Sequence, residues 1–288
     1  MNDVRLPIGE IAETFVRWLI DTFGWLFDGL RSIFLAVYDS LAWALQTPPF
    51  WAVIVVLAAL AFWAKGLWLA VGTAVGLLVI VGVDQWDNAM QSLALVIVAS
   101  AIALAIGIPL GIWAARSDTV STVLRPVLDF LQTMPAFVYL IPALMLFRVG
   151  VVPGIVATIL FALAPGVRLT ELGIRGVDRE VVEAGHAFGA STGRILRQIQ
   201  LPLALPSIMA GVNQVIMLGL SMAAIAGMVG TGGLGGAVIE AIGQLNVGLG
   251  AESGLAIVIL AIYLDRMTSA LGTQVSPLGR RAAEGELR

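Results

Sequence analysis

The run AMQSLALVIVASAIALAIGIPLGIWAA at residues 89–115 decides the class of fold, because it contains no Asp, Glu, Lys or Arg. A helix of about 20 apolar residues crosses the roughly 30 Å hydrocarbon core of a bilayer. Residues 205–239 form a second long run without a charged side chain. Inside a membrane the backbone must satisfy its own hydrogen bonds, which favours helices. The sequence therefore predicts an all-α, polytopic membrane protein.

Composition supports the same class and excludes several others. The chain has 288 residues, of which 59% are hydrophobic and 12% are charged, whereas soluble domains average about 25% charged residues. It contains no cysteine, which excludes disulfides, thiolate metal sites and cysteine nucleophiles. The 16 Lys and Arg residues are scattered, so no basic patch indicates nucleic acid. The first 47 residues lack the pattern of a cleavable signal peptide, and we expect the first span to direct insertion.

The apolar runs predict about seven transmembrane helices. They lie at roughly 50–64, 66–83, 89–115, 128–149, 152–171, 206–230 and 253–271. Lys65 and Gly66 separate the first two, which we expect to form a tight hairpin. Longer connections are expected at 116–127 and 172–205. The predicted organisation is an extracytoplasmic segment 1–48, a peripheral hairpin 49–83, a core domain 84–271 that contains the loop 172–205, and a cytoplasmic tail 272–288.

The N-terminal segment carries the pattern of an amphipathic helix. Its charged face holds Glu10, Glu13, Arg17, Asp21 and Asp28, and its other face holds Ile8, Ile11, Phe15, Trp18, Thr22 and Trp25. Such a helix, rich in Trp and Phe, is expected to lie in the outer membrane interface rather than to span. Packing against the subunit's own outer face is an equally open alternative, and the two are compatible. Pro48 and Pro49 end this segment.

The distribution of basic residues predicts the orientation, because cytoplasmic loops carry an excess of Lys and Arg. If the 172–205 loop is cytoplasmic, 12 of the 16 basic residues lie inside. These are Lys65, Arg116, Arg125, Arg168, Arg175, Arg179, Arg194, Arg197, Arg266, Arg280, Arg281 and Arg288. We therefore expect a multi-pass protein of the bacterial inner membrane with its N-terminus outside and its C-terminus in the cytoplasm.

The 172–205 loop carries a pattern typical of a docking element. Ala184 and Gly185 have almost no side chain, so a partner surface could approach the backbone closely. Gly189 permits a backbone conformation that other residues resist. Pro202 and Pro206 are expected to end the second helix of the loop and to fix where the chain re-enters the membrane.

This loop resembles the coupling segment of ABC importer permeases. That family carries Glu-Ala-Ala, three residues, Gly, nine residues, Ile, one residue, and Leu-Pro, and this chain departs from it only at Gly185, where the family has a second Ala. We expect that loss of one methyl group to be tolerated. The resemblance implies that a separate ATPase subunit receives this loop in a groove. The implied ATPase-coupling residues are Glu183, Ala184, Gly185, Ala187, Phe188, Gly189, Ile199, Leu201 and Pro202.

A more specific resemblance covers most of the chain from about residue 90 onward. The stretch DFLQTMPAFVYLIP at 129–142 is similar to permeases of glycine betaine, proline betaine and choline importers, as are RLT at 168–170, MAGVNQ at 209–214 and LDR at 264–266. The N-terminal RLPIGE at 5–10 resembles that family's leader. The resemblance implies a type I ABC importer permease fold and a quaternary or methylated amine as substrate. It also implies a homodimer, two ATP-binding subunits with ATP and Mg²⁺, and an extracytoplasmic binding protein.

Two groups of side chains are candidates for the translocation pathway. Pro135 and Pro142 are expected to bend one span, and breaks of this kind persist where neighbours or a cavity satisfy the freed backbone groups. The candidates are Met134, Pro135, Phe137 and Tyr139 in that span, and Asn213, Gln214 and Met217 in the sixth. Packing of the helix bundle, or hydrogen bonding between helices for the amides, explains each of them equally well.

Missing motifs narrow the mechanism. Lys65 is the only lysine and no glycine loop precedes it, so the chain lacks a Walker A sequence and we expect no ATP, cofactor, catalytic residue or metal bound by this chain. An ion-coupled secondary transporter is the main rival, but it needs charged groups inside the membrane, and Glu171 and Asp265 are expected near span ends. Carnitine, trimethylamine N-oxide or an amino acid remains an alternative solute. Residues 230–235 (GTGGLG) are interpreted as a flexible gate or turn.

Overall fold

A computed structural model describes residues 7–275, and every regular element in that part of the chain is helical. The α-helices are α1 (Ile8–Gln46), α2 (Phe50–Lys65), α3 (Leu67–Gly82), α4 (Trp86–Arg116), α5 (Asp118–Thr133), α6 (Leu140–Phe147), α7 (Val151–Arg175), α8 (Arg179–Ala187), α9 (Thr192–Ile195), α10 (Leu201–Ala226), α11 (Gly233–Gln244) and α12 (Val247–Val275). Short 3₁₀ turns occupy Ala136–Tyr139 and Gly227–Val229, and a π turn occupies Leu196–Gln200. Arg5 and Leu6 of the leader pattern, and Arg280, Arg281 and Arg288 of the predicted tail 272–288, lie outside the described residues.

Within residues 7–275, four continuous helical stretches are long and apolar enough to cross a membrane: Trp86–Arg116, Val151–Arg175, Thr192–Val229 and Val247–Gly272. Two bent pairs pass the same test, α1 with α2 and α5 with α6, each bent by 104°. The shorter apolar helix α3 completes the set. The all-α, multi-span architecture is therefore confirmed, although the seven predicted spans are not alike.

The core of the bundle is built from α4, α7 and α10, which pack closely because glycines line their contacts. A Cβ atom at Gly111 of α4 would lie 2.6 Å from the Thr170 Cβ of α7. A Cβ atom at Gly173 of α7 would lie 2.8 Å from the Ser207 Cβ of α10. Small residues let helix backbones approach in this way inside membranes. These contacts make α7 parallel to α4 and antiparallel to α10.

The predicted span at 128–149 is bent by 104° between α5 and α6, and the predicted loop at 116–127 is wrong. Helix α5 already begins at Asp118, and the chain breaks at Met134 and Pro135, which are both extended. Pro135 explains the break, because the residue before a proline is pushed out of the α conformation. Pro142 does not bend the chain: it lies in the first turn of α6, where its missing N–H has no required partner.

The prolines at 202 and 206 do not end a helix as predicted. Both lie inside one continuous helical stretch, Thr192–Val229. The π turn Leu196–Gln200 comes immediately before them and widens the helical repeat by one residue. Such a turn accommodates a local disruption of the hydrogen-bond ladder without breaking the helix.

Helix α1 has two parts with different surroundings, separated by a kink at Phe23. In the second part Tyr38 and Ala42 are buried in the same apolar cluster as α4, and Arg31 Nε donates to the Phe147 carbonyl oxygen at 3.1 Å. In the first part the predicted apolar stripe stays exposed, including Ile8 at 66%, and Trp25, two residues after the kink, is 75% exposed. The packed alternative thus describes the second part of α1, and the stripe is left without a partner in the described chain.

The predicted hairpin lies at the edge of the bundle. Gly66 joins α2 to α3 with a positive φ of 83°, which glycine adopts without strain. Large apolar side chains cover its outer surface, among them Trp63 at 67% and Trp68 at 89% exposure.

Residues 230–232 join the 3₁₀ turn Gly227–Val229 to α11, which begins at Gly233, and the flexibility expected of residues 230–235 stays a prediction. Gly227 and Gly235 pack backbone to backbone, so a Cβ atom at either position would overlap the other segment or α10. The Gly233 amide donates to Gln91 Oε1 and the Leu234 amide donates to Ser92 Oγ, both at 2.9 Å. These bonds anchor the N-terminus of α11 on α4.

Candidate coupling segment and translocation face

The segment expected to couple to an ATPase is α8 and the turn that follows it. The Asp178 side chain accepts a hydrogen bond from the Glu180 amide at 2.9 Å and caps the start of the helix. At the other end the Ala190 amide donates to the Gly185 carbonyl oxygen and the Gly189 amide donates to that of His186. This is a Schellman motif with Gly189 at φ +75°, the conformation for which glycine was predicted here.

One face of α8 packs on its own chain and the other is free. Gly185 is buried, and a Cβ atom there would lie 2.8 Å from Ile199 Cδ1 and 3.3 Å from Ile195 Cγ1. The expectation that a partner approaches Gly185 is therefore wrong, because Ile195 and Ile199 occupy that side. The added methyl group of an Ala would have to displace the end of the Ile199 side chain.

The exposed face of α8 and the turn after it hold five of the predicted coupling residues. Glu183, Ala184, Ala187 and Gly189 are exposed, and Phe188 is 92% exposed at the tip. Ile199, Leu201 and Pro202 are half-buried; Ile199 packs against Gly185 of α8, and Leu201 packs against the apolar cluster of Ile174 and Leu196. The pattern predicted from the sequence thus divides into an exposed surface and the support that holds it.

The break between α5 and α6 brings some predicted pathway residues together and buries others. Tyr139 is 5% exposed, donates a hydrogen bond to the Leu131 carbonyl oxygen and packs against Phe161 at 6.5 Å between ring centroids. Met134 packs against the same cluster. Phe137 is 55% exposed, and Pro135 is also exposed. In this conformation Tyr139 supports the break, and only Phe137 and Pro135 offer a free surface.

Asn213 in α10 bonds to another helix, α12. Its Nδ2 donates to Asp265 Oδ1 of α12 at 3.0 Å, and the Thr268 hydroxyl donates to its Oδ1. Asp265 lies ten residues before the end of α12, and the expectation that it sits near the end of a membrane span stays a prediction. In this structure Asn213 makes a hydrogen bond between helices, which is the alternative that the sequence left open for the amide side chains.

Gln214 and Met217 lie on a different face of α10, together with a residue the sequence interpretation missed. Gln214 and Ser221 are exposed and Met217 is half-exposed. Between Leu203 and Met228 this face shows no exposed large apolar side chain, whereas α12 exposes Leu255, Val258 and Ile262. Spacing of seven residues, two helical turns, aligns Gln214 with Ser221 and could have indicated this face.

A row of charged residues between α5 and α7 was also missed. We call it the α5–α7 clasp; it consists of Asp118, Ser121, Arg125 and Asp129 of α5 with Arg168, Glu171 and Arg175 of α7. A cleft of about 370 Å³ lies along these side chains. The spacings of three and four residues place each set on one helix face. The signal was present in the sequence, but residues 116–127 were interpreted as a loop.

Residues 107–277 match the family described as binding-protein-dependent transport system inner membrane component. The chain belongs to this family. It is a membrane-embedded permease subunit of an ABC importer, a class whose members are transport components and leave ATP hydrolysis to separate subunits. Family membership sets aside the ion-coupled rival.

Individual relatives align with nearly the whole permease. It is 46% identical over 264 residues to the glycine betaine transport system permease protein OpuAB of Bacillus subtilis (strain 168), covering 92% of this chain and 94% of the relative. It is 45% identical over 276 residues to the glycine betaine/proline betaine permease ProW of Escherichia coli (strain K12), covering 96% and 78%. It is 47% identical over 273 residues to the glycine betaine/carnitine permease GbuB of Listeria monocytogenes serotype 1/2a (strain 10403S), covering 93% and 96%.

The permease also shares its fold with a solved transporter. The MetNI methionine ABC transporter, in inward-facing conformations, contains a chain that superposes with a TM-score of 0.59 at 22% identity. The match covers 67% of the permease and 96% of that chain. This likeness confirms the type I importer fold and carries no information about substrate.

Proposed function

We propose that the permease imports glycine betaine, choline or a related methylated amine, driven by ATP. The observation that carries this proposal is the identity of 45–47% to three permeases named for glycine betaine, across more than nine-tenths of this chain. Relatives named for trimethylamine N-oxide are 39% identical, and a carnitine permease is 29% identical. These two solutes are the alternatives within the same chemical class.

The ATPase subunit docks on the exposed face of α8. Phe188 supports this proposal, because a fully exposed aromatic side chain beside small residues is typical of an anchor that fills a pocket on a partner. ATP and Mg²⁺ are bound by that subunit. We expect two such subunits, one beneath each copy of the permease.

The translocation pathway runs between two copies of the permease. The face of α10 with Gln214 and Ser221 supports this proposal, because polar groups inside a membrane favour a cavity or a protein neighbour over lipid. Faces of α2, α3 and α12 expose large apolar side chains and suit lipid. Phe137 and Pro135 contribute from the break, Met217 contributes from α10, and Asn213 acts as support.

The end of the bundle that carries α8 faces the cytoplasm, with the N-terminus outside and the C-terminus inside. Supporting this orientation, the basic side chains of Arg125 and Arg175 lie near the α8 end, whereas Asp87 lies at the other end, where the basic Arg148 is paired with Asp28 of α1. An extracytoplasmic binding protein delivers the solute at the α1 end. The exposed stripe of α1 lies in the outer membrane interface, where Trp side chains are favourable.

Uptake into vesicles tests the substrate. The permease is reconstituted with its ATP-binding and binding-protein subunits, and uptake of labelled glycine betaine is measured with choline, carnitine and trimethylamine N-oxide as competitors. We expect ATP-dependent uptake of glycine betaine that unlabelled betaine abolishes. If none of these solutes is transported while ATP hydrolysis is intact, the proposed substrate is wrong.

A further inference from the structure

Helix α5 contacts the bundle through a row of polar side chains and through a small apolar contact at Leu124 and Leu128. Of its 16 residues only Ser121 and Leu128 are buried. Its opposite face turns apolar side chains outward, with Val123 and Phe130 each 61% exposed. The charged row faces α7, so α5 is attached to the core through the α5–α7 clasp.

The clasp centres on Glu171. Its carboxylate accepts a hydrogen bond from Ser121 Oγ at 2.7 Å and pairs with Arg175 Nε at 3.0 Å. The Glu171 side chain is 11% exposed, whereas Arg125, 3.8 Å away, is 68% exposed. A carboxylate with so little access to water depends on its partners, because an unpaired buried charge is costly.

Two further contacts extend the clasp along both helices. Arg175 Nη1 pairs with Asp118 Oδ1 at 2.7 Å, and Arg168 pairs with Asp129. Arg175 Nη2 also donates to the Ala114 carbonyl oxygen of α4 at 2.8 Å. Helices α4, α5 and α7 therefore meet at the Arg175 side chain.

A non-helical residue lies at each end of α5 and could act as a hinge. Ser117, between α4 and α5, is extended at φ −140° and ψ 114°, and Met134 is extended at φ −68° and ψ 135°. A short helix between two extended residues can move as a rigid body, since hinges consist of a few residues at element ends. The second of these residues, Met134, comes immediately before the break that contains Pro135 and Phe137.

The clasp also lies next to the coupling segment. Helix α7 ends at Arg175 and α8 begins at Arg179, so only Gly176, Val177 and Asp178 separate the clasp from the proposed docking surface. We propose that the α5–α7 clasp positions α5 for transport, and that movement of α8 releases and remakes it in each cycle. This inference rests on the proposed docking of an ATPase subunit at α8. Glu171, Arg168 and Asp129 are positioning residues and do not contact solute.

A single reporter can follow the clasp, because the chain has no cysteine of its own. Leu128 is 3% exposed and packs with Ala164 and Val167 of α7, so a thiol in Leu128→Cys is protected while α5 lies on α7. The rate of its modification by N-ethylmaleimide is measured in the assembled, reconstituted transporter. With MgATP and substrate-loaded binding protein we expect faster modification than at rest.

Charge reversal and charge exchange then test the clasp itself. In the Leu128→Cys background, Asp129→Arg places two cations together and should raise the labelling rate at rest by about tenfold. Solute transported per ATP should fall by a similar factor. Exchange of the pair, Asp129→Arg with Arg168→Asp, should restore both values. Glu13→Gln is the matched control, because it removes an exposed ion pair with Arg17 on α1 and should change neither.

The outcomes separate the clasp from the proposed function. Labelling of Asp129→Arg at the control rate, or no recovery in the exchanged pair, would overturn the inference. If Asp129→Arg fails to assemble, Glu171→Gln is measured instead, and an unchanged labelling rate there overturns it equally. ATP-dependent labelling without betaine uptake would contradict the substrate while supporting the clasp. If the Phe188→Ala variant loses the ATPase subunit on purification while the clasp variants keep it, that result supports the docking site at α8 and shows that the clasp variants act at a different place.

Discussion

Asn213 of α10 donates a hydrogen bond to Asp265 of α12 at 3.0 Å, and this bond assigns both residues a role between helices. Thr268 completes the group by donating to Asn213 Oδ1. Polar side chains on facing membrane helices stabilise the pair when they bond to each other. The bond therefore explains two polar residues that could otherwise be taken for a substrate site.

The first prediction concerns this bond. Asn213→Ala should lower the thermal stability of the purified transporter, because it leaves the Asp265 carboxylate without its partner. Hydrogen bonds between membrane helices contribute about 0.6 kcal/mol on average, so the double variant with Asp265→Ala should lose less than the sum of the single variants. The KM for solute uptake should be unchanged. A marked rise in the KM for uptake with unchanged thermal stability would instead indicate that Asn213 contacts the solute.

The second prediction concerns Phe188. Phe188→Ala should weaken binding of the ATPase subunit by at least about tenfold, as expected for an aromatic anchor, while membrane insertion stays intact. Affinity is measured with the permease in nanodiscs. Trp18→Ala, at 53% exposure on α1, is the control for loss of an exposed aromatic group. Equal affinities in all three proteins would exclude the docking site.

The third prediction concerns Gly189. Gly189→Val should uncouple ATP hydrolysis from uptake, because a β-branched residue at φ +75° costs roughly 1–2 kcal/mol and distorts the turn. Gly189→Asn, which tolerates this conformation better, should retain most of the uptake. The measurement is solute transported per ATP hydrolysed. Normal coupling in the valine variant contradicts the assignment.

The fourth prediction concerns the packing of α4 on α7. Gly111→Ala should destabilise the permease by about 1–3 kcal/mol, because the added Cβ atom would lie 2.6 Å from Thr170 Cβ. Gly72→Ala is the matched control, since no atom lies within 4 Å of its added Cβ and alanine favours the helix. Thermal unfolding in one detergent compares the two. Similar unfolding midpoints for the two variants would show that α4 and α7 accommodate the added methyl group without loss of stability.

The fifth prediction concerns the exposed face of α10. Gln214→Leu and Ser221→Leu should each lower the uptake rate at least severalfold without affecting assembly, because they alter a polar surface of the proposed pathway. Val258→Leu on α12 is the control on an apolar exposed face. Uptake at the control rate would mean that this α10 face does not line the pathway.

Much of the fold followed from the apolar runs alone, because long uncharged segments leave few alternatives in a membrane. Prolines were expected to bend or end helices, yet Pro142 lies in a first turn and Pro202 follows a π turn that accommodates it. Helix α5 was missed because its charges face α7, which made an amphipathic helix resemble a polar loop.

The sequence predicted where the candidate site lies, but not which of its residues are exposed and which are buried. The spacing of Glu183, Gly189 and Pro202 located the coupling segment, and Gly189 has the backbone conformation expected of it. Nothing in the sequence tells that Gly185 faces Ile199, because that depends on how α8 folds back on the π turn. Tyr139 and Asn213 were likewise uncertain until their hydrogen-bond partners were known.

The break at Met134 and Pro135 has a consequence for biosynthesis. Helix α6 is 8 residues long, about 12 Å, far short of the roughly 30 Å needed to cross the hydrocarbon core. During synthesis it cannot remain in the bilayer by itself, and it leads into α7 through Arg148–Gly150. We therefore expect α5, α6 and α7 to leave the insertion machinery as one unit, with α4 already in place to receive them.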